Sequence, residues 1–336
     1  MMRKRAVSIL MCLVFVLAIV VSAAAADKPQ KPLNRMIVGY VMPWNLGWFA
    51  YFGDAFDMVM NANGVKTIRL LANWDAAQEA SSVQDLITLN VDAINVCSGG
   101  PDSAQNVCKL ANDAGIPISV EDSAVAPGPG KPFANVEFDW YAAGVMFADQ
   151  ISQRWPGSKI VILQGRAGVG PVELQNQGIT KRAKELGNIE IVALKYTDYL
   201  EETGFATMKD IVQSGLKFDV VVTGTETVAE GAIEALASEG VVGKKVVDIN
   251  GGPMDVANFK KGRLAGAVGQ SPGFHGMLVA MAMLEKLKGN KVPEMVYTPI
   301  IWLTPENYEK KAMPWQMDKS WLPVAEKFIK TGKLEY

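Results

Sequence analysis

The order of apolar segments predicts an α/β protein made of two doubly wound parallel-sheet domains. Ten short apolar runs recur along the chain, and helical segments lie between most of them. The runs lack the strict apolar–polar alternation of a strand with one wet face. Strands buried on both faces fit parallel sheets covered by helices, and ten divide better into two sheets of about five than into one.

In chain order the strand-like runs are MIVGYVM (36–42), KTIRLLA (66–72), DAINVCS (92–98), IPISVED (116–122) and FANVEF (133–138). After the loop VAPGPGKP (125–132) and a junction near Glu137–Asp139 come KIVILQG (159–165), EIVALKY (190–196), DVVVTG (219–224), KVVDING (245–251) and LAGAVGQ (264–270). GDAFDMVMNAN, SAQNVCKLANDAG, VELQNQGITKRAKELG and TVAEGAIEALASEG read as helices. The last three each carry an apolar stripe at helical spacing and end at Gly, the usual helix stop. From Thr304 the tail holds helical pieces, including WLPVAEKFIKTG (321–332), and no new sheet. No internal repeat is strong, but the two halves share a βαβ rhythm.

The first 26 residues differ from the rest. Arg3, Lys4 and Arg5 precede an apolar run from Ala6 to Val21, and Ala23–Ala26 then meets Asp27. A basic start, an apolar middle and a small-residue end read as a secretory signal. The rival, an uncleaved anchor, would be short for a span. Cys12 is not placed as a lipoprotein cysteine. Cleavage after Ala26 leaves 30 Lys and Arg against 35 Asp and Glu, a balance of −5. That argues against nucleic-acid binding, which calls for a basic face. Cys97 and Cys108 remain in the mature chain; an oxidising compartment permits a disulfide, and two buried thiols fit equally well.

Several chemistries lack support. The chain holds one histidine, His275, at the start of HGMLVAMAMLEKL, where a helix-surface or capping role is expected. A His-based triad or His-containing metal cluster is therefore unsupported. No GxxxxGK[ST] loop occurs. QGRAGVG (164–170) has Glu173 where a phosphate loop would place its last Gly, and reads as a strand-to-helix turn. Asp122, Glu173 and Glu226 lie near strand ends without forming a convincing catalytic set. No catalytic residue, metal or cofactor is expected.

One stretch stands out: PWNLGWFAYFGD (43–54) puts five of the 28 aromatic residues into nine positions directly after the first strand. Packing under a helix explains such a cluster, and so does an apolar wall for a ligand at the strand ends of an α/β sheet.

The segments NLGWF, SSVQDLITLNVDAINV, ANDAGIPISVED, VILQGRAG, TGTETVAEGAIEAL, VVDINGGP and KKGRLAGAVGQSP occur in an order that resembles the periplasmic sugar-binding proteins of ABC transporters, ribose-binding type, from about Met36 to Asn307. The resemblance implies two doubly wound domains joined by a three-segment hinge, with the ligand cleft between them. Crossings are then expected near Glu137–Asp139, Gln270–Pro272 and Ile301–Pro305. The N-terminal lobe would comprise 34–138 plus 272–302, and the C-terminal lobe 139–271 plus 303–336. Hinge closure belongs to this class.

The same resemblance implies ligand-binding positions. Trp48 and Phe49 match ring-stacking aromatics of one lobe, and Tyr199 that of the other. A sugar's C–H faces are apolar and its rim is polar, so rings and short polar groups suit it. Asp122 matches an acid that accepts hydroxyl hydrogens, and Gln270 a glutamine at the hinge. Ser123 and Gln175 stand where ribose binders carry arginine, Thr225 replaces an asparagine, and Asn250 replaces an acid. Leu46 replaces a further asparagine, with Asn45 adjacent. Trp44 is open between roles, whereas Tyr51 and Phe52 are expected to pack. With both arginines gone, Asp122 is the expected charged rim position.

The chain is thus expected to be a soluble, monomeric, periplasmic binding protein that delivers a neutral polyhydroxyl ligand (sugar, deoxy sugar or polyol) to an ABC permease. A cationic ligand stands second. A signalling receptor for a furanone-like or amine ligand is the alternative, with an exported carbohydrate-active enzyme behind it. The processing step is testable: intact mass of the exported protein is expected to give a chain beginning at Asp27, and a membrane-bound chain retaining residues 1–26 would refute it.

Overall fold

All ten predicted strands form, and two short ones join them. The computed structural model describes residues 31–334; the expected secretory signal at 1–26 lies outside the described residues. The chain runs β1 (Ile37–Met42), α1 (Gly47–Ala62), β2 (Lys66–Leu71), α2 (Ala76–Thr88), β3 (Ala93–Cys97), α3 (Pro101–Asp113), β4 (Ile118–Glu121) and β5 (Ala134–Phe138). It continues α4 (Trp140–Arg154), β6 (Lys159–Gln164), α5 (Gly170–Leu186), β7 (Glu190–Tyr196), α6 (Glu201–Gln213), β8 (Val220–Thr223), α7 (Glu226–Ser238), β9 (Lys245–Asn250), α8 (Pro253–Lys260) and β10 (Gly266–Gly269). The last elements are α9 (Pro272–Leu287), β11 (Met295–Thr298), β12 (Ile301–Leu303), α10 (Tyr308–Lys311) and α11 (Leu322–Thr331).

The first sheet has the order β11-β5-β4-β3-β1-β2, the second β12-β10-β9-β8-β6-β7. Every pairing is parallel except that of β12 with β10. In both, chain order reverses beside the first strand of the sheet, which leaves a crevice at the carboxyl ends. Each sheet therefore has six strands rather than about five. The added strands escape a sequence reading because they are four and three residues long and are split by Pro299.

The passages between sheets are marked by helix caps. Asp139 follows β5 and its carboxylate accepts from the Ala142 N–H at 2.8 Å. Ser271 follows β10 and its hydroxyl accepts from the Phe274 N–H at 3.1 Å. Such caps satisfy N–H groups that the first helical turn leaves unpaired. The third passage lies earlier than the expected Ile301–Pro305, because Ile301 and Leu303 already pair with Gly269 and Ala267 of the second sheet. Only Pro299 and Ile300 separate β11 from β12.

The tail also departs from the expectation that 303–336 stays with the second lobe. Tyr308 of α10 stacks on Phe259 of α8 at 5.4 Å. Met313, Met317, Ala325 and Phe328 instead belong to the core of the first lobe, where Phe328 meets Phe274 of α9 at 5.8 Å. The apolar stripe of α11 is covered by α9, so the chain passes back between Ala312 and Met313.

Helix α9 is buried almost all round, between the first sheet, α1 and α11. His275 on its first turns is fully buried, not the expected surface or capping residue; Ser271 does the capping. Cys97 and Cys108 are both buried and free. No helix among the described residues is long and apolar enough to cross a membrane.

Contact of α9 with α1 depends on Gly276, where a Cβ would lie 2.3 Å from the Phe52 carbonyl oxygen. Gly276→Ala is expected to cost about 1–3 kcal/mol through overpacking. Thermal unfolding checks this; an unchanged Tm would mean that the helices do not approach so closely.

Candidate functional site

A cavity of about 510 Å³ opens between the carboxyl ends of the two sheets. Trp48 and Phe49 reach it from the first turn of α1, and Asp122 and Ser123 from the end of β4. From the second lobe, Gln175 comes from α5, Tyr199 follows β7, Thr225 follows β8, Asn250 ends β9 and Gln270 follows β10. The structure thus brings nine of the ten sequence-predicted positions to one cavity. Asn45 is not among them. Its amide oxygen accepts from the Arg69 guanidinium, which also pairs with Asp57 at 2.8 Å and Asp54 at 3.2 Å. The adjacent Leu46 faces the cavity instead.

The aromatic cluster divides ring by ring between core packing and cavity lining. Phe52 is fully buried. Tyr51 packs edge-on against Trp315 at 5.6 Å. Trp48 stacks on Phe52 at 6.1 Å and 7° with one face of its environment in the core, and also lines the cavity. Trp44, Phe49 and Trp74 lean on one another edge-on at 5.7–6.4 Å and form a second apolar wall. Trp74, Trp140, Gln164, Glu226 and Trp315 also line the cavity and were not singled out as binding positions. The position of Trp140, directly after the first passage, was the one available signal; Trp315 lies in the tail beyond the resemblance.

The polar groups are held firmly. Gln270 Nε2 donates to Asn250 Oδ1 at 2.6 Å. Gln164 Nε2 donates to Gln175 Oε1 at 2.6 Å and to Asn176 Oδ1 at 3.1 Å. This leaves Gln175 Nε2 and Gln270 Oε1 without protein partners beside the cavity. Thr225 caps α7 through a bond from the Val228 N–H at 3.3 Å, and Thr227 donates to the Tyr199 carbonyl at 2.7 Å. Among the described residues six non-glycine residues have positive φ, and four of them line the cavity: Trp74, Asp122, Tyr199 and Asn250. Backbone strain gathers at functional sites.

Asp122 Oδ1 accepts from Trp140 Nε1 at 2.7 Å. Burial and then the neighbouring Glu121 push its carboxyl up to about 8, so it is not the settled negative charge expected at the rim. Nor is it the only acid there, since Glu226 also lines the cavity. Burial raises Glu226 to about 6, with the Met254 N–H at 3.1 Å opposing the rise. Behind it lie Asp248 and Asp255, both fully buried and both raised by burial.

Beneath Trp48, Glu121 Oε2 and His275 Nε2 are 2.9 Å apart, and His275 Nδ1 is 2.7 Å from Thr298 Oγ1. Burial pushes Glu121 up to about 8 and His275 down to about 4. The pair is therefore neutral near pH 7: the Glu121 hydroxyl donates to His275 Nε2, and Nδ1–H donates to Thr298.

A family model described as the periplasmic binding protein domain matches residues 38–291. The ribose import binding protein of Bacillus subtilis is 26% identical over 306 residues, 88% of this chain and 98% of that protein. A xylitol-binding protein of Mycolicibacterium smegmatis is 30% identical over 200 residues, 59% of this chain and 57% of that protein. A solved ABC transporter solute binding protein from Bacillus halodurans, with bound myo-inositol, superimposes with a TM-score of 0.77 at 25% identity, covering 82% of this chain and 96% of that one.

The neutral Glu121–His275 pair sets a pH dependence. The native state keeps a proton on Glu121 that the unfolded chain releases above its ordinary value of 4.5. Stability is then lost as pH rises through about 8, and Asp122 acts in the same direction. His275 acts oppositely, costing stability as pH falls from 6.5 toward 4. Glu121→Gln keeps a donor to His275 and removes the titration. Its Tm, measured without ligand from about pH 5 to 8.5, is expected to fall less with rising pH than that of the parent. Parallel profiles would exclude Glu121 as a titrating group.

Proposed function

The chain belongs to the periplasmic binding protein family, and on that premise we propose that it is an exported solute receptor that captures a small sugar or polyol and delivers it to an ABC permease. The observation that carries this reading is the single cavity whose walls come from the carboxyl ends of both sheets. Its aromatic faces suit the C–H faces of a ligand, and its amide and hydroxyl groups suit the rim. Ribose, xylitol and myo-inositol in the names of relatives support a polyhydroxyl ligand of this size.

Trp48, Phe49, Asp122 and Ser123 would hold the ligand from the first lobe, with Gln175, Tyr199, Thr225, Asn250 and Gln270 holding it from the second. A ligand favours the closed form only through contacts absent from the open form, so contacts to both lobes at once drive closure. The passages at Phe138–Trp140, Gln270–Pro272 and Thr298–Ile301 act as the hinge. The lobes need no partner copy to build the cavity, which supports a monomer in the periplasm. The closed face would then meet the permease.

Thermal shift and calorimetry against pentoses, hexoses, polyols and their amino forms test the reading, and no binding across the panel would sink it. Trp48→Ala is expected to weaken binding by about 1–3 kcal/mol, as for loss of a buried aromatic contact. Because the ring also rests on Phe52 and His275, Tm falls as well. Unchanged affinity with a large loss of Tm would remove Trp48 from the binding surface.

A further inference from the structure

The charges around the cavity are all of one sign. Asp122 from the first lobe and Glu226 from the second line it, and among the described residues no Lys, Arg or His does. Cations of the surrounding elements are engaged elsewhere. Arg69 is tied to Asp54 and Asp57. Arg166, two residues past β6, acts on the Tyr199 hydroxyl but does not itself line the cavity, and its exposed guanidinium pairs with Asp198 at 3.4 Å. His275 lies in the core below Trp48 with both ring nitrogens bonded. The two positions where ribose binders are expected to carry arginine hold Ser123 and Gln175.

The remaining walls are largely apolar. Five tryptophans, Trp44, Trp48, Trp74, Trp140 and Trp315, join Phe49 and Tyr199 around the two acids. We infer that the ligand carries an ammonium group on its sugar or polyol frame, held between indole faces and the carboxylates of Asp122 and Glu226. The inference rests on the sugar-or-polyol reading and narrows it.

The physical case is one of compensation. A carboxylate surrounded by rings loses solvation, and without a counter-charge it takes up a proton. Both acids here are pushed toward that neutral form, Asp122 to about 8 and Glu226 to about 6. Facing Asp122, Glu121 on its own strand and Glu137 on β5 push it further up; the Trp140 N–H and His275 on α9 lower it without offsetting burial, and Tyr199 faces it from the other lobe. Those beside Glu226 are the acids Asp248 and Asp255. A bound ammonium would supply the missing charge, and indole faces attract cations through their quadrupole. A sugar acid or phosphate would instead meet two carboxyls without a guanidinium partner.

Calorimetry at pH 7 on the full mature chain tests this with two matched series: sorbitol, 1-amino-1-deoxysorbitol and gluconate; glucose, glucosamine and glucuronate. In at least one series the amino form is expected to bind about tenfold or more tightly than the neutral form, with the acid weakest. Binding of 1-amino-1-deoxysorbitol, whose alkylammonium stays charged over this range, should release a proton, read from the dependence of the heat on buffer ionisation, and should strengthen from about pH 6 to 8 as Asp122 ionises. Asp122→Asn should shrink the amino-to-neutral affinity ratio, and Glu226→Gln provides the same readout if the first variant does not fold. Neutral forms binding as tightly as amino forms would overturn the inference and leave the proposed function standing. Failure of all six compounds to bind would overturn both.

Discussion

The buried contact between Glu121 and His275 is the constraint on which the site depends. Glu121 ends β4 in the middle of the first sheet, and His275 lies one turn into the helix that follows the second passage. Thr298, bonded to the other ring nitrogen, ends β11 just before the third passage. Phe138, the last residue of β5 before the first passage, stacks on the imidazole at 4.7 Å and 25°. The first-lobe roots of all three passages therefore meet at one side chain. Trp48 rests 5.7 Å from the same ring, so the cavity floor and the connections between lobes share a support.

Glu121 and Asp122 show how one strand end serves two needs. Glu121 continues the strand and turns into the core, where a neutral acid can satisfy a neutral imidazole. Asp122 takes a positive φ of 51° and presents its carboxyl to the cavity, anchored by Trp140. The second lobe repeats the arrangement with other residues. Asp248 and Asp255 are buried behind, and Asn250, with φ of 146°, and Glu226 stand at the surface of the cleft. Burial raises Glu121, Asp248 and Asp255 alike and so disfavours charge behind the strand ends, while the acids in front line the cavity.

The fold was legible because its signals are long and repeated. Ten apolar runs with helices between them leave few alternatives to parallel sheets, and the reading located each of those strands. Three-residue β12 and four-residue β11 carry too little sequence to register, and the antiparallel pairing of β12 comes only from its place beside β10. The nine cavity positions were legible through the family resemblance, which places binding residues where the strand ends of such sheets converge. Asn45 misled because neighbouring residues at a helix start point to different sides, and Arg69, distant in sequence, captured its amide. His275 misled because burial of a polar residue depends on partners such as Glu121 and Thr298 that no local pattern reveals. Glu226 was visible near a strand end, but its place in the wall depends on how α7 and α8 meet.

The tail adds a constraint of a different kind. After β12 and α10 the chain returns to the first lobe, so that lobe carries α11 and the loop before it. In that loop the Pro314 carbonyl accepts from Ser271 Oγ at 2.6 Å, and Trp315 Nε1 donates to the Gln270 carbonyl at 3.0 Å. Both bonds fall on the second passage, whereas no such bonds tie the tail to Asp139 or to Pro299 among the described residues. Any rotation of the lobes would therefore carry or stretch the tail at the second passage. Since Trp315 also bounds the cavity and leans on Tyr51 of α1, the indole that steadies this passage moves with the first lobe. The second passage and the cavity wall are in this way parts of one packed unit.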